Sequence, residues 1–280
     1  MSEVKYNIRP LQEEVLKIFK VFAAICEKHG LRYYAAYGTA LGAIRHHGFI
    51  PWDDDFDVAM PRSDYHKFAR VANGELPSFL RFLRGGESYY SPILFGRVLN
   101  IDGMVIDKLK AITGLALKDP PFIDVFVLDD LPENALGLMG WRREYRLWRV
   151  CQIWRYPHAG YNSSWKHKII ARTLGWLLNP RYRRTTSNED MMCVLDELSM
   201  RWPRSRHVIE WAFFHMNEAR VLAKSLFEPF RLVSFEDVQI RVPYNVEEIL
   251  TRYYGDYMKL PPEKDRVPPH VMRYNYDGHV

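Results

Sequence analysis

The sequence predicts an α+β fold, a mixed sheet core with an added helical region, and three observations predict it. Leu11, Val15, Ile18, Phe19, Phe22, Ile25 and Cys26 recur at the spacing of one helix face between Pro10 and His29. Short apolar runs of strand length follow at Leu31 to Tyr37, Phe56 to Met60 and Phe122 to Leu128. From Ala135 to about Trp202 the pattern turns helical again, so helices and strands do not alternate regularly.

The first helix has Pro10 in its opening turn and Gly30 just past its end, the order expected of helix boundaries. Ser63 is the expected cap of a helix running to about Val71. Ile93 to Ile101 and Met104 to Ile106 read as further strands. The helical stretch after Ala135 breaks in a loop near Pro157 to Ser164 and at Asn179-Pro180. Val233 to Val242 reads as a hairpin turning at Glu236-Asp237, and Asn245 to Tyr254 as a short helix ended by Gly255.

With 280 residues and 48% hydrophobic content, the chain can bury one large core or a core and a smaller helical unit. Disordered and fibrous classes are excluded. No apolar signal core stands at Met1 to Pro10 and no run approaches the roughly 18 apolar residues of a spanning helix, so a cytoplasmic location is expected. Cys26, Cys151 and Cys193 are odd in number and far apart, which predicts buried thiols and neither disulfides nor a zinc site. The net charge of +5 hides an asymmetry: between Trp141 and Arg184 eleven cations accompany one anion, Glu144. Nine tryptophans and tyrosines are interleaved with them, a mixture suited to peripheral contact at the inner face of an anionic membrane. An ordinary helical subdomain with an arginine-rich surface fits the same residues. No recognition motif accompanies the charge, so nucleic acid is not the expected partner.

The densest chemical signal is Asp53, Asp54, Asp55 and Asp57, four carboxylates within five positions between apolar flanks. With Phe56, Val58 and Met60 on the buried side of a strand, Asp53, Asp55 and Asp57 stand together on the other. Like charges this close call for a cation, and hard oxygen ligands suit Mg²⁺ bound with a substrate phosphate, with Mn²⁺ as the alternative. Acid runs are commonly solvated loops, but these flanks are apolar. An EF-hand is excluded because its sixth and twelfth positions hold Val58 and Asp64. Ahead of the acids, Tyr37 to Arg45 reads as a strand turning through Gly38-Thr39 into a short helix, whose free N–H groups would receive phosphate. A phosphate cradle followed by metal carboxylates is the order a nucleotidyltransferase-type site requires. Asp124 interrupts the apolar run Phe122 to Leu128, and a buried charge needs a partner. Either it is a third metal-site carboxylate or it pairs with an arginine.

These islands together resemble the LicD family, which includes bacterial phosphocholine transferases and is related to the fukutin-type phosphotransferases. The resemblance rests on Tyr37-Gly38-Thr39 with Leu41 to His46, on Gly48 to Asp57, on Phe122 to Phe126, and on Tyr254-Gly255-Asp256-Tyr257-Met258 with Pro261-Pro262 and His270. It implies a nucleotidyltransferase-like catalytic core at 1–134, a basic and aromatic helical insertion at 135–225, and a segment at 226–280 completing the core and active site. It also implies transfer of a phosphorylated alcohol, such as phosphocholine, from a CDP-linked donor to a hydroxyl of a glycan or lipid-linked glycan acceptor, a lipopolysaccharide or teichoic-acid-type precursor, with release of CMP. In that chemistry Asp55 and Asp57 would bind the metal, while Asp124 would share it or take the proton of the acceptor hydroxyl. Gly38 and Thr39 would hold phosphate, Arg45 would clamp it, and Trp52 would stack on cytosine or seal the core. Asp53, Asp54 and His270 would form a supporting shell. His46, His47 and His270 qualify as general bases by residue type alone. The alternatives are a nucleotidyltransferase attaching NMP and a non-catalytic membrane-associated scaffold.

Overall fold

The computed structural model describes residues 7–84, 95–102, 106–108, 117–134, 136–144, 173, 193–194, 196–198, 200–202, 205–210, 221–268 and 271–274. Most of the basic segment 141–184, with the loop near Pro157 and the break at Asn179-Pro180, lies outside the described residues, as do Met104 and Cys151. The described elements run α1 (Arg9–Lys28), β1 (Tyr34–Ala35), α2 (Tyr37–His46), β2 (Asp57–Pro61), α3 (Arg62–Glu75), β3 (Leu80–Leu83), β4 (Gly96–Asn100), β5 (Ile106–Lys108), β6 (Leu117–Asp119), β7 (Phe122–Asp130), β8 (His207–Glu210), β9 (Val221–Ala223), β10 (Arg231–Phe235), β11 (Val238–Val242), α4 (Val246–Tyr254) and β12 (Val271–Tyr274).

The fold is α+β around a seven-stranded mixed sheet, in the order β1-β2-β7-β4-β3, with β8 paired to β7 and β9 to β8. Among the described strands of this sheet only the β2–β7 pair is parallel; it aligns Asp57 with Asp124 and Val58 with Val125. Residues aligned across such a pair point to the same face. Val58 and Met60 of β2 and Ile123, Val125 and Val127 of β7 join the larger core with Phe19 and Phe22 of α1, Phe68 of α3, and Phe235 and Ile240 of the β10–β11 hairpin. Ala59, Phe126 and Leu128 join a second cluster with Tyr34, Phe95, Phe227 and Ile249. The central strands are thus covered on both faces, which is why β7 is an almost unbroken apolar run rather than an alternating one.

Several boundaries differ from those read in the sequence. β1 is only two residues long, and α2 begins at Tyr37 rather than beyond Gly38-Thr39, so the glycine and threonine occupy its first turn. Pro61, not Ser63, caps α3, no side chain bonds the helix start, and the helix continues to Glu75. Proline ends β2 and hands the chain directly to α3, which leaves Ser63 inside the first turn with no capping task. Elsewhere the sequence pattern is realised: Gly30 takes φ +60° after α1, Glu236 takes φ +52° in the β10–β11 turn, and Gly255 takes φ +66° after α4. No helix among the described residues is long and apolar enough to cross a membrane.

Phe56, between two of the acids, is fully buried and touches Phe19 at 4.5 Å, Phe235 at 5.4 Å and Phe49 at 5.9 Å between ring centroids. Its neighbours come from α1, the loop before β2 and β10, so they cannot collapse together into the space left by truncation. Phe56→Ala should therefore cost about 3–5 kcal/mol of stability. Urea unfolding of the full chain measures this, and a loss below about 1 kcal/mol would mean that the cluster does not organise the core.

Candidate active site

The site starts where β1 passes into α2. Tyr37 adopts φ +42°, an uncommon conformation for a bulky residue, and its ring packs edge-on against Phe126 at 5.2 Å and flat against Tyr253 at 5.7 Å. The backbone of Asp57 is tied to this turn at both of its polar groups. Ala36 N–H donates to Asp57 C=O at 3.0 Å, and Asp57 N–H donates to the buried Thr39 hydroxyl at 2.8 Å. Thr39 thus orients the acidic strand by accepting from its first residue. Gly38 is a close-approach glycine: a Cβ here would overlap the carboxylate of Asp53, which is seated against the first turn of α2.

The loop between α2 and β2 is pinned from three distant places. Gln12 of α1, buried among apolar neighbours, donates through Nε2 to Ile50 C=O at 3.1 Å and Asp53 C=O at 2.9 Å. Glu236 accepts from Phe49 N–H at 3.1 Å, is paired with Arg9 at 2.6 Å, and donates its own N–H to His47 C=O at 2.9 Å. Gly42 packs so closely on the Gly48 carbonyl that a side chain would not fit. The sequence marked Glu236 only as a turn residue and did not mark Gln12. Gln12 stands three and four residues before Val15 and Leu16 on the buried face of α1, and a lone amide there was the available signal.

The carboxylates are crowded. Asp54 and Asp57 are buried, Asp53 and Asp55 half-buried, and Asp53, Asp54 and Asp55 each offer an oxygen within 4.8 Å of the others. Burial first, and then the charges of Asp55 and Asp54, push the Asp53 pKa well above the usual carboxylate value, with Arg45 opposing. Asp57, Asp53 and Asp55 also act together on Tyr254 of α4. Desolvation, followed by those three negative charges, raises the phenol pKa, while the residue as a whole remains exposed at 43%. β2 begins only at Asp57, so Asp53 and Asp55 stand in the loop before it and not on alternate positions of the strand, and the acids that the loop brings together are Asp53, Asp54 and Asp55.

Arg45, at the end of α2, donates to the carbonyls of Tyr257 at 2.7 Å and Lys259 at 3.5 Å, joining the helix to the segment after α4. Burial lowers its pKa, and the charges of Tyr254 and Asp53 act in the other direction. Trp52 is half-buried between the edge of His46, at 6.3 Å, and the Arg266 guanidinium, 5.6 Å above its ring. The His46 pKa is lowered by burial and by Arg45 and His47. His47 ends α2 with φ +55°. His270 lies outside the described residues.

Asp124 sits beside Asp57 across the parallel register and opposite Arg97 on the antiparallel side. Arg97 donates through Nε to Oδ1 at 2.6 Å and through Nη2 to Oδ2 at 3.4 Å, while its guanidinium lies 3.9 Å from the centroid of Phe122. An arginine pair at Asp124 is thus present. A carboxylate has about four acceptor positions, so this pair leaves room for another ligand. Asp57, Asp124 and Arg97 form a row across three adjacent strands on one face of the sheet. Sequence reasoning missed Arg97, whose only signal was a cation inside the short apolar run around Val98.

The chain is similar in sequence to known proteins. Residues 30–88 match the family described as LicD/FKTN/FKRP, nucleotidyltransferase domain, a stretch containing α2, the acidic loop and β2. The chain is 29% identical over 272 residues to the lipopolysaccharide cholinephosphotransferase LicD of Haemophilus influenzae, covering 95% of this chain and 97% of that one. An uncharacterized protein of Rickettsia typhi is 40% identical over 52 residues, which are 19% of this chain and 16% of that protein. One from Rickettsia prowazekii is 46% identical over 37 residues, 13% and 14% of the two chains. The resemblance to the LicD family therefore runs through nearly the whole sequence.

Two measurements test this arrangement. Arg97→Met should leave Asp124 as an unpaired, nearly buried charge and cost about 3 kcal/mol, with the loss largely recovered when Asp124→Asn is added. Equal losses in the single and double variants, by urea unfolding, would show that the pair is not coupled. The second concerns pH. The folded chain holds the Asp53 proton more tightly than the unfolded chain, so its contribution to stability falls as pH rises from the ordinary carboxylate pKa through the raised one. Asp53→Asn should accordingly stabilise the chelator-treated protein at neutral pH and lose that advantage as the pH approaches about 4. An advantage independent of pH would remove the charge explanation.

Proposed function

We propose that this LicD-like chain is a phosphotransferase that moves a phosphorylated alcohol, such as phosphocholine, from a CDP-linked donor to a hydroxyl of a glycan or lipid-linked glycan, releasing CMP. The observation that carries this reading is the cluster of Asp53, Asp54 and Asp55, each offering an oxygen within 4.8 Å of the others just ahead of Asp57, with Asp124 in register beside Asp57. Likeness to a cholinephosphotransferase over 97% of that protein's length points to the same chemistry.

The clustered donors are hard carboxylate oxygens, a set that fits Mg²⁺ or Mn²⁺. Asp55 and Asp57 would hold the ion, with Asp124 as a third candidate and Asp53 and Asp54 behind them. When bound, such an ion supplies charge neutralisation at the donor diphosphate. The chain's own groups do the positioning. The N–H groups in the first turn of α2, near Gly38 and Thr39, are suited to a phosphate. Arg45 places a cation next to Asp53 and Tyr254 while anchoring the segment after α4. Trp52 would stack on the cytosine base or seal the core. In the transfer the acceptor oxygen forms a new bond to the alcohol-bearing phosphorus, the bond to the CMP oxygen breaks, and CMP departs with that electron pair. The hydroxyl proton passes to a basic oxygen, and Asp124, fixed by Arg97, is the candidate.

Asp55→Asn and Asp57→Asn should each reduce transfer below about a tenth of wild type while the protein stays folded. Purified protein is incubated with CDP-choline and other CDP-alcohols, Mg²⁺ and a glycan acceptor, and CMP and the product mass are measured. Activity of either variant above that level would remove these residues from the site. A product carrying NMP instead of a phosphorylated alcohol would replace the proposed reaction with nucleotidyl transfer. Asp124→Asn should change the Mg²⁺ dependence if the residue is a ligand, and should lower turnover at unaltered Mg²⁺ and donor affinity if it takes the proton.

A further inference from the structure

The parallel pair β2–β7 has chemistry at its beginning and a cavity at its end. Asp57 and Asp124 open the pair, whereas Pro61 and Leu128 close it and line a cavity of about 650 Å³. This size falls within the roughly 300–1,000 Å³ of small-molecule sites. The cavity is four residues of strand, about 13 Å, from the acids. The Tyr34 and Phe227 rings, 5.1 Å apart, form part of its apolar wall.

Its polar lining is selective. Every lysine and arginine of the wall among the described residues already faces an acid: Arg32 pairs with Asp64 at 2.7 Å, Lys224 with Asp130 at 2.6 Å, and Arg62 with Asp129 and Asp196. Glu228 in turn accepts the Tyr34 hydroxyl. Among the described residues these three cations face four acids and Glu228 adds a fifth, so the wall disfavours a phosphate, and its carboxylates can accept from hydroxyls. His66 differs. Its Nε2 is buried and has no hydrogen-bond partner among the described residues, and Ser63 and Ser225 add two hydroxyls to the lining. Burial also lowers the His66 pKa, favouring the neutral ring. A quaternary ammonium group has no hydrogen to give this ring, whereas a ligand hydroxyl can donate or accept.

We propose that this cavity is a second binding site for a neutral, hydroxyl-rich ligand, a sugar ring, and that it holds a unit of the acceptor glycan away from the hydroxyl that reacts. The second clause rests on the proposed phosphotransferase reading; the first does not. An aromatic and aliphatic wall receives the apolar face of the ring, and His66, Ser63 and Ser225 meet its hydroxyls. A glycan chain spans the distance to Asp57 and Asp124.

The test is ligand-observed NMR on the full chain with glucose, galactose, N-acetylglucosamine, choline chloride and inorganic phosphate as separate probes. Ser225→Trp introduces bulk at an exposed position on the rim, and His66→Phe removes the ring nitrogens while keeping an aromatic ring; thermal unfolding confirms that each is folded. At least one sugar should bind the wild type, with binding weakened about tenfold or more in both variants and altered less than about twofold in Asp57→Asn. Failure of all three sugars, unweakened sugar binding by either folded variant, or phosphate or choline displacing the sugar would overturn the inference. Sugar binding that persists when no CMP is released from any CDP-alcohol would uphold the site and overturn the transferase reading. CMP release without sugar binding would do the reverse.

Discussion

Mutual repulsion among the acids of the loop before β2 is the constraint on which the rest of the structure turns. Two unit charges 4 Å apart repel by about 4 kcal/mol at an effective dielectric constant of 20, so a group of carboxylates does not stay together unless its backbone is fixed by something else. The chain supplies that fixing from elements carrying no share of the charge cluster. Gln12 holds the carbonyls of Ile50 and Asp53, Thr39 holds the Asp57 amide, and Glu236 holds the Phe49 amide. Phe56 anchors the loop from below by entering the core between Phe19, Phe49 and Phe235. Thus α1, α2 and the β10–β11 hairpin converge on one short stretch, and their packing against the sheet positions the acids.

The parallel pairing of β2 with β7 extends this logic across the sheet. Side chains alternate, so one face of each strand contributes Val58, Met60, Val125 and Val127 to the larger core while the other carries Asp57 and Asp124. A slip of one residue in either strand would place its acid in the larger apolar core and turn its valines to the opposite face. Register here is therefore fixed by the same burial that stabilises the fold. Arg97 completes the row from β4, where its guanidinium is covered by Phe122 and balanced by Asp124.

Local signals explain what the sequence made legible. The periodic face of α1, the apolar run of β7, the Glu236 turn and the start and stop of α4 all depend on neighbours in sequence, and the structure contains each of them. The acidic loop was conspicuous for the same reason. Partners fixed by register were not legible: Arg97 lies 27 residues before Asp124 and Gln12 lies 41 before Asp53, and neither spacing has a local pattern. The short strands β3, β8 and β9 were missed because three or four residues carry little periodicity and their pairing is non-local. The start of α2 was misplaced because Tyr37 takes a backbone conformation usually left to glycine, secured by packing against Phe126 and Tyr253 rather than by its own preference.

The raised proton affinity of Asp53 links the fold to its proposed chemistry. A carboxylate holds a proton beyond its ordinary range when burial and neighbouring charge make the ionised form unfavourable, so the loop without a cation is a region of stored electrostatic strain. Any cation bound more tightly by the folded than by the unfolded chain relieves this strain and stabilises the fold in proportion to its occupancy. Relief would not stop at the loop. Tyr254 shares the field of Asp53, Asp55 and Asp57, and Arg45 ties the segment beyond Tyr254 to α2. Neutralising the acids would thus alter the charge felt by the groups that border the site, including Tyr254 and Arg45.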